Sequence, residues 1–220
     1  MKIKKMVCLI FVSAIFMAAK MSMAQIPVPT GSTPTLNGGE RLNPGFTVLG
    51  LSAGYPKTSI DVYFGLATKF DLGIKAAVTY NHGIGGNRQG PGFDLHVPLR
   101  WTFVQKEKLA GGLRFSPYFM IGKWGPSVSF GADVAFLIDI ALPKVFKIIV
   151  GPELRTGIAS WTSYDISGYD GGLWANVGME TFLARRFFLG VMLQGGGLWG
   201  TGGLGGEGVL RMNLFFGGKL

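Results

Sequence analysis

Asp94-Leu95-His96 sets a carboxylate and an imidazole two residues apart. In an extended chain alternate side chains share a face, so this spacing can orient the imidazole as a general base. The other histidine, His82, stands in a Gly-rich stretch and reads as a solvated loop residue. Two histidines and one cysteine, Cys8, which lies in an N-terminal apolar run, do not furnish a transition-metal ligand set. No metal, cofactor or catalytic centre is therefore expected, and the reading is that the chain is not an enzyme. The remaining ionisable groups matter for where they fall. The acids Asp61, Asp94, Asp133, Glu153 and Glu180, and the bases Lys75, His96, Arg100, Arg114, Arg155 and Arg211, alternate with large apolar residues.

That alternation is clearest from Ser59 to Phe103. Ile60, Val62, Phe64 and Leu66 take even positions against Asp61, Tyr63, Gly65 and Ala67. After a turn at Thr68-Lys69-Phe70-Asp71, Leu72, Ile74, Ala76, Val78 and Tyr80 repeat the apolar row, opposite Gly73, Lys75, Ala77 and Thr79. Beyond a Gly-rich loop, Phe93, Leu95, Val97, Leu99, Trp101 and Phe103 face away from Asp94, His96, Pro98, Arg100 and Thr102. A period of two, apolar on one side and charged or small on the other, is the pattern of an antiparallel transmembrane β-barrel. The same row recurs from Val128 to Ile138, from Phe146 to Ile158, from Leu173 to Leu183 and from Leu210 to Phe216.

The 220 residues fit one domain, and 36 glycines with few charges are unlike an ordinary soluble globule. Lys2, Lys4 and Lys5 precede an apolar run from Met6 to Ala19 and then Ser22-Met23-Ala24, which reads as a signal peptide over residues 1–24. The mature chain then carries 17 basic groups against 12 acidic ones, a net charge of +5. These are scattered singly, so no nucleic-acid partner is expected. Residues 25–44, rich in Pro, Gly, Thr and Asn, read as a flexible periplasmic lead-in, and 45–220 as the barrel.

Ten strands fit the turn signals, with eight or twelve as alternatives. Connections after the second, fourth, sixth and eighth strands are short, whereas Trp161 to Gly171 and Gly195 to Gly206 read as longer outer loops. Trp124, Trp161 and Trp199 would then lie at the outer rim and Trp101 with Phe103 at the inner one, as interfacial girdles. Pro98, Pro117 and Pro152 fall inside strands and mark bulges or interruptions. The uncharged run from Phe187 to Gly206 raises a helical membrane span as a rival, but its nine glycines disfavour a helix.

The chain ends Phe215-Phe216-Gly217-Gly218-Lys219-Leu220. Here it resembles small bacterial outer-membrane barrel proteins of the porin-like superfamily, whose last strand commonly finishes on an aromatic, Phe216 in this chain. A four-residue extension follows Phe216, and Arg211 stands where the family signal often has glycine. The resemblance implies a Gram-negative outer membrane, with lipid and lipopolysaccharide as neighbours and the barrel assembly machinery as a partner during biogenesis. It leaves the oligomeric state open. The charged inner row then admits two readings: an ion-pair network filling the lumen in a structural role, or a narrow porin-like path for small solutes. An adhesin or receptor using Tyr164, Tyr169, Trp161 and Trp199 is a third reading. Asp94-Leu95-His96 resembles the Asp-x-His element of omptin proteases, which would imply a barrel hydrolase. The second acidic pair of that family has no counterpart, and no serine stands two residues after either histidine as in the lipid A deacylases.

Overall fold

The computed structural model describes residues 37–55, 57–80, 91–122, 128–142, 146–161, 166–183, 187–200 and 207–220. Residues 1–24, expected to be a signal peptide, residues 25–36 of the expected lead-in, the loop with His82, and Trp124, Tyr164, Asp165 and Ala184-Arg185-Arg186 lie outside them.

All regular structure is β. The strands are β1 (Thr47–Tyr55), β2 (Lys57–Gly65), β3 (Phe70–Thr79), β4 (Gly92–His96), β5 (Leu99–Lys106), β6 (Leu109–Gly122), β7 (Val128–Ala141), β8 (Phe146–Trp161), β9 (Ile166–Phe182), β10 (Phe187–Gly200) and β11 (Glu207–Lys219). Every pairing is antiparallel, and β1 pairs with both β2 and β11, so the sheet closes on itself. β4 and β5 occupy one place in the ring, since both lie between β3 and β6. The result is a closed barrel of ten strand positions.

The break between β4 and β5 has a local cause. Pro98 has no N–H to give a neighbour, so pairing lapses at Val97-Pro98. Its carbonyl still accepts from Gly73 N at 2.7 Å, and Val97 N donates to Pro117 O at 2.9 Å. Pro152 acts alike: the β7–β8 register skips from Ala135↔Glu153 to Ile138↔Val150. Pro117, by contrast, stays within a continuous β6–β7 ladder opposite Ala132.

The loops differ from the sequence reading. Most of the segment from Trp161 to Gly171 is ladder, because β8 and β9 remain paired out to Trp161↔Ile166. β10 likewise runs to Gly200, so half of the Gly-rich connection and 14 residues of the uncharged run are strand. Ladder bonds are made by the main chain, and glycine carries no side chain to reveal the alternation there. No helix among the described residues is long and apolar enough to cross a membrane.

Side chains divide as the period predicts. Leu51, Ile60, Val78, Phe93, Phe130, Ile158, Val177 and Leu210 point outward and are exposed, with similar residues on every strand. At the end that carries the termini, Phe70 stacks on Trp101 at 6.4 Å, Phe103 on Phe136 at 5.6 Å and Phe187 on Phe216 at 6.0 Å, all on the outside. Tyr55, Tyr80, Tyr169 and Trp199 ring the outside near the far end. The extension past Phe216 belongs to the closing strand, since Gly217, Gly218 and Lys219 pair with β1 and Leu220 N donates to Thr47 O at 2.9 Å.

Closure makes β1 and β11 neighbours, with Ala53 opposite Leu214. Antiparallel partners lie about 4.5–5.5 Å apart at Cα, within disulfide reach. An Ala53→Cys/Leu214→Cys chain is expected to form the disulfide on mild oxidation, detected by gel mobility with and without reductant. Persistent free thiols in the folded protein would contradict closure.

Candidate functional site

The site is the interior, built from residues that the strand period turns inward. It has two storeys.

At the termini end the interior packs an apolar cluster beside buried charges. Val48, Tyr63, Leu137, Ile149, Phe182, Phe188 and Phe215 form one buried cluster, with Phe188 and Phe215 rings 6.2 Å apart. Into it comes a segment from the lead-in. Leu42 belongs to the cluster, and Glu40 is only 5% exposed. Residues 38–42, the end of a stretch expected to be flexible, form a strap across the lumen. Its main chain supplies most of the bonds: Gly39 N and Glu40 N donate to the two Asp139 oxygens at 2.8 and 2.9 Å, and Leu42 N donates to Asp71 Oδ2 at 2.9 Å. Thr102 Oγ1 donates to Gly39 O at 2.7 Å and Arg100 Nη1 to Gly38 O at 3.1 Å.

The strap fits closely. A Cβ on Gly39 would lie 2.5 Å from Leu137 O and 2.7 Å from Gly112 N, so only glycine allows this approach. Gly45, with φ of 82°, then turns the chain into β1. Glu40 is ion-paired to Lys147, whose Nζ also lies 3.9 Å from Glu180 and 4.0 Å from Asp139. Arg100 is clamped by Asp71, with Nε and Nη2 at 2.9 and 2.7 Å from Oδ2.

Above the strap the interior is polar. Lys75 lies 3.3 Å from Asp61, Arg114 donates to Glu153 at 2.8 Å, and Arg155 grips both oxygens of Asp133 at 2.8 and 3.0 Å. Four of the pairs are direct cross-strand neighbours: Asp61↔Lys75, Asp71↔Arg100, Asp133↔Arg155 and Lys147↔Glu180. Tyr118 packs against His96 at 5.6 Å and beneath the Arg155 guanidinium at 4.7 Å, while its hydroxyl reaches Asp170 at 3.3 Å. Between these groups remains a cavity of about 70 Å³, lined among others by Lys57, Lys75, His96, Arg114, Arg155 and Arg211. At roughly 15 Å³ each, that is room for about five waters.

All eleven residues singled out from the sequence face the interior, eight of them fully buried. Asp94 and His96, however, do not form a working pair. Asp94 Oδ2 accepts from Thr79 Oγ1 at 2.9 Å and lies 3.7 Å from Lys57, whereas His96 Nδ1 lies 3.6 Å from Asp133 Oδ2, already occupied by Arg155. Sharing a face of β4 does not bring the two side chains together, because the groups that hold them, Lys57, Thr79 and Asp133, reach in from β2, β3 and β7. Sequence reasoning did not single out Lys57, Asp71, Asp139, Lys147 or Glu40. Asp139 and Lys147 carry the inward parity and could have been chosen on that signal; Glu40 lies where no period exists. Among the described residues no cluster of three or more His, Cys, Asp or Glu could hold a metal ion.

The Lys147 ammonium sits among three carboxylates, so removing it leaves buried charge uncompensated, at a cost of about 3–5 kcal/mol. Lys147→Met is expected to lower the denaturant midpoint of the folded barrel accordingly, followed by the gel-mobility difference between folded and unfolded forms.

Comparison with protein-family models gives no match, and no curated protein matches the chain in sequence.

Proposed function

We propose that this chain is a bacterial outer-membrane β-barrel that offers small solutes a narrow, charge-lined path, held shut at the termini end by residues 38–42. The observation that carries the reading is the reversed polarity of the barrel. Most charged side chains of the interior are paired, and large apolar ones cover the outside of every strand. A soluble barrel that stores a small ligand has the opposite arrangement, with a water-facing exterior. Exposed apolar surface on this scale needs a partner, and a ring of it with aromatics near both ends matches a lipid belt. The N-terminal leader expected from the sequence accords with export, and the termini would then face the periplasm. Lipid and lipopolysaccharide are the neighbours this surface implies. No catalytic role is proposed, since His96 and Asp94 are each held by other groups.

The cavity and the strap together favour a path that is closed at rest over a wide open channel. Planar-bilayer recording of the mature chain tests this. Wild type is expected to give small, infrequent conductance steps. Gly39→Val, which crowds the strap against Leu137 and Gly112 without altering a barrel side chain that faces the path, is expected to raise their frequency at least severalfold. Arg114→Ala is expected to change step size. Silence from wild type and Gly39→Val alike would leave the structural role standing and the pore refuted. A mature chain that stays dissolved without any amphiphile would refute the membrane placement.

A further inference from the structure

We infer that the polar cavity holds a binding site for a small oxyanion, a carboxylate or phosphate, centred on Arg211. This deepens the reading of the lumen as a solute path and rests on small solutes reaching the cavity.

The charge pairing leaves Arg211 over. Five cations line the cavity, Lys57, Lys75, Arg114, Arg155 and Arg211. Lys57 is 3.7 Å from Asp94, and Lys75, Arg114 and Arg155 have Asp61, Glu153 and Asp133. Arg211 has no carboxylate within ion-pair distance among the described residues. The nearest claim on it could come from Glu153, but Glu153 Oε2 already accepts from Arg114 at 2.8 Å, Gln194 at 3.4 Å and Asn176 at 3.5 Å. Asp170, at the far end, is engaged by Tyr118.

Arg211 is nevertheless built in. It is 8% exposed, and its guanidinium lies 3.9 Å from the Trp174 ring, which is 1% exposed. Stacking on indole fixes the plane of the guanidinium and leaves its edge donors to be used. Its Nε–H is buried without an acceptor. A buried donor left unmade costs about 1–3 kcal/mol, more for a charged group, so a sequence that spends a stacked arginine here gains if an acceptor arrives. Asn213, two residues along β11, lines the same cavity with an amide that has no partner at Oδ1 and can turn to present its NH₂. A planar donor fork is matched by the two oxygens of a carboxylate or phosphate. A cavity of about 70 Å³ limits the guest to small oxyanions.

Calorimetric titration of the detergent-folded mature chain tests the site, with inorganic phosphate, acetate and, as control, tetramethylammonium as probes. Phosphate or acetate is expected to bind wild type, tetramethylammonium not at all, and Arg211→Gln to weaken oxyanion binding at least tenfold. Should Arg211→Gln fail to fold by gel mobility, Arg211→Lys serves instead. It keeps the charge but loses Nε and the planar stack, and is expected to bind at least fivefold more weakly. Unchanged affinity in the folded variant, or no oxyanion binding by wild type, would overturn the assignment. The readout is independent of conduction: a barrel that binds phosphate but passes no current keeps this site and loses the pore, and one that conducts without binding does the reverse.

Discussion

The constraint on which this molecule rests is that every strand must find a partner on both sides. A backbone N–H or C=O left open in an apolar surrounding costs several kcal/mol, and here the outer surface is apolar on every strand. Pairing of β1 with β11 removes the last two open edges. The chain invests in that seam to its final residue, with Leu220 bonded to Thr47 and the Lys219 ammonium over the Phe46 ring. Prolines are accommodated in two ways: the ladder lapses at Pro98 and beside Pro152, where the Pro98 and Gly151 carbonyls accept from Gly73 N and the Asn176 amide, while Pro117 sits in an unbroken register.

Closure decides what the interior must be. With apolar residues committed outward, the period of two sends charges inward, where a lone charge would be costly and a paired one tolerable. Most inward charges are accordingly matched, many by a residue directly across the ladder. Such pairs hold strand register as well as charge balance, because sliding one strand by a residue would turn its charges into the apolar exterior. The termini end adds aromatic and aliphatic packing and the strap to its own buried pairs, Asp71 with Arg100 and Lys147 with Glu40, so the two storeys share ion pairing and differ in apolar burial.

Alternation made the strands and the orientation of the charged residues readable from the sequence. Parity turns Asp61, Arg114, Asp133 and Glu153 to one side of their strands, and in the barrel each is ion-paired. Parity says nothing about which inward groups meet across the lumen, which is why Asp94 and His96 read as partners while Asp133, on β7, lies 3.6 Å from the imidazole. Glycine hid the rest. In β10 the run from Gly195 to Gly197 has no side chains to alternate, yet pairs residue by residue with β9 and β11. The strap was invisible for another reason: its main-chain amides, which every residue but proline possesses, donate to partners 29 to 100 positions away.

Those partners are also spread around the circumference. Asp71 is on β3, Arg100 and Thr102 on β5, Asp139 on β7 and Lys147 on β8, so a few residues tie the wall of β3 and β5 to that of β7 and β8, with which it shares no ladder. A ring of strands joined only edge to edge can flatten into an ellipse at little cost, since hydrogen bonds bend more easily than they stretch. A chord fastened to several walls resists that ovalisation. The cross-section should therefore be stiffest where the polypeptide begins and more compliant at the opposite mouth, with lateral pressure from the surroundings felt mainly there.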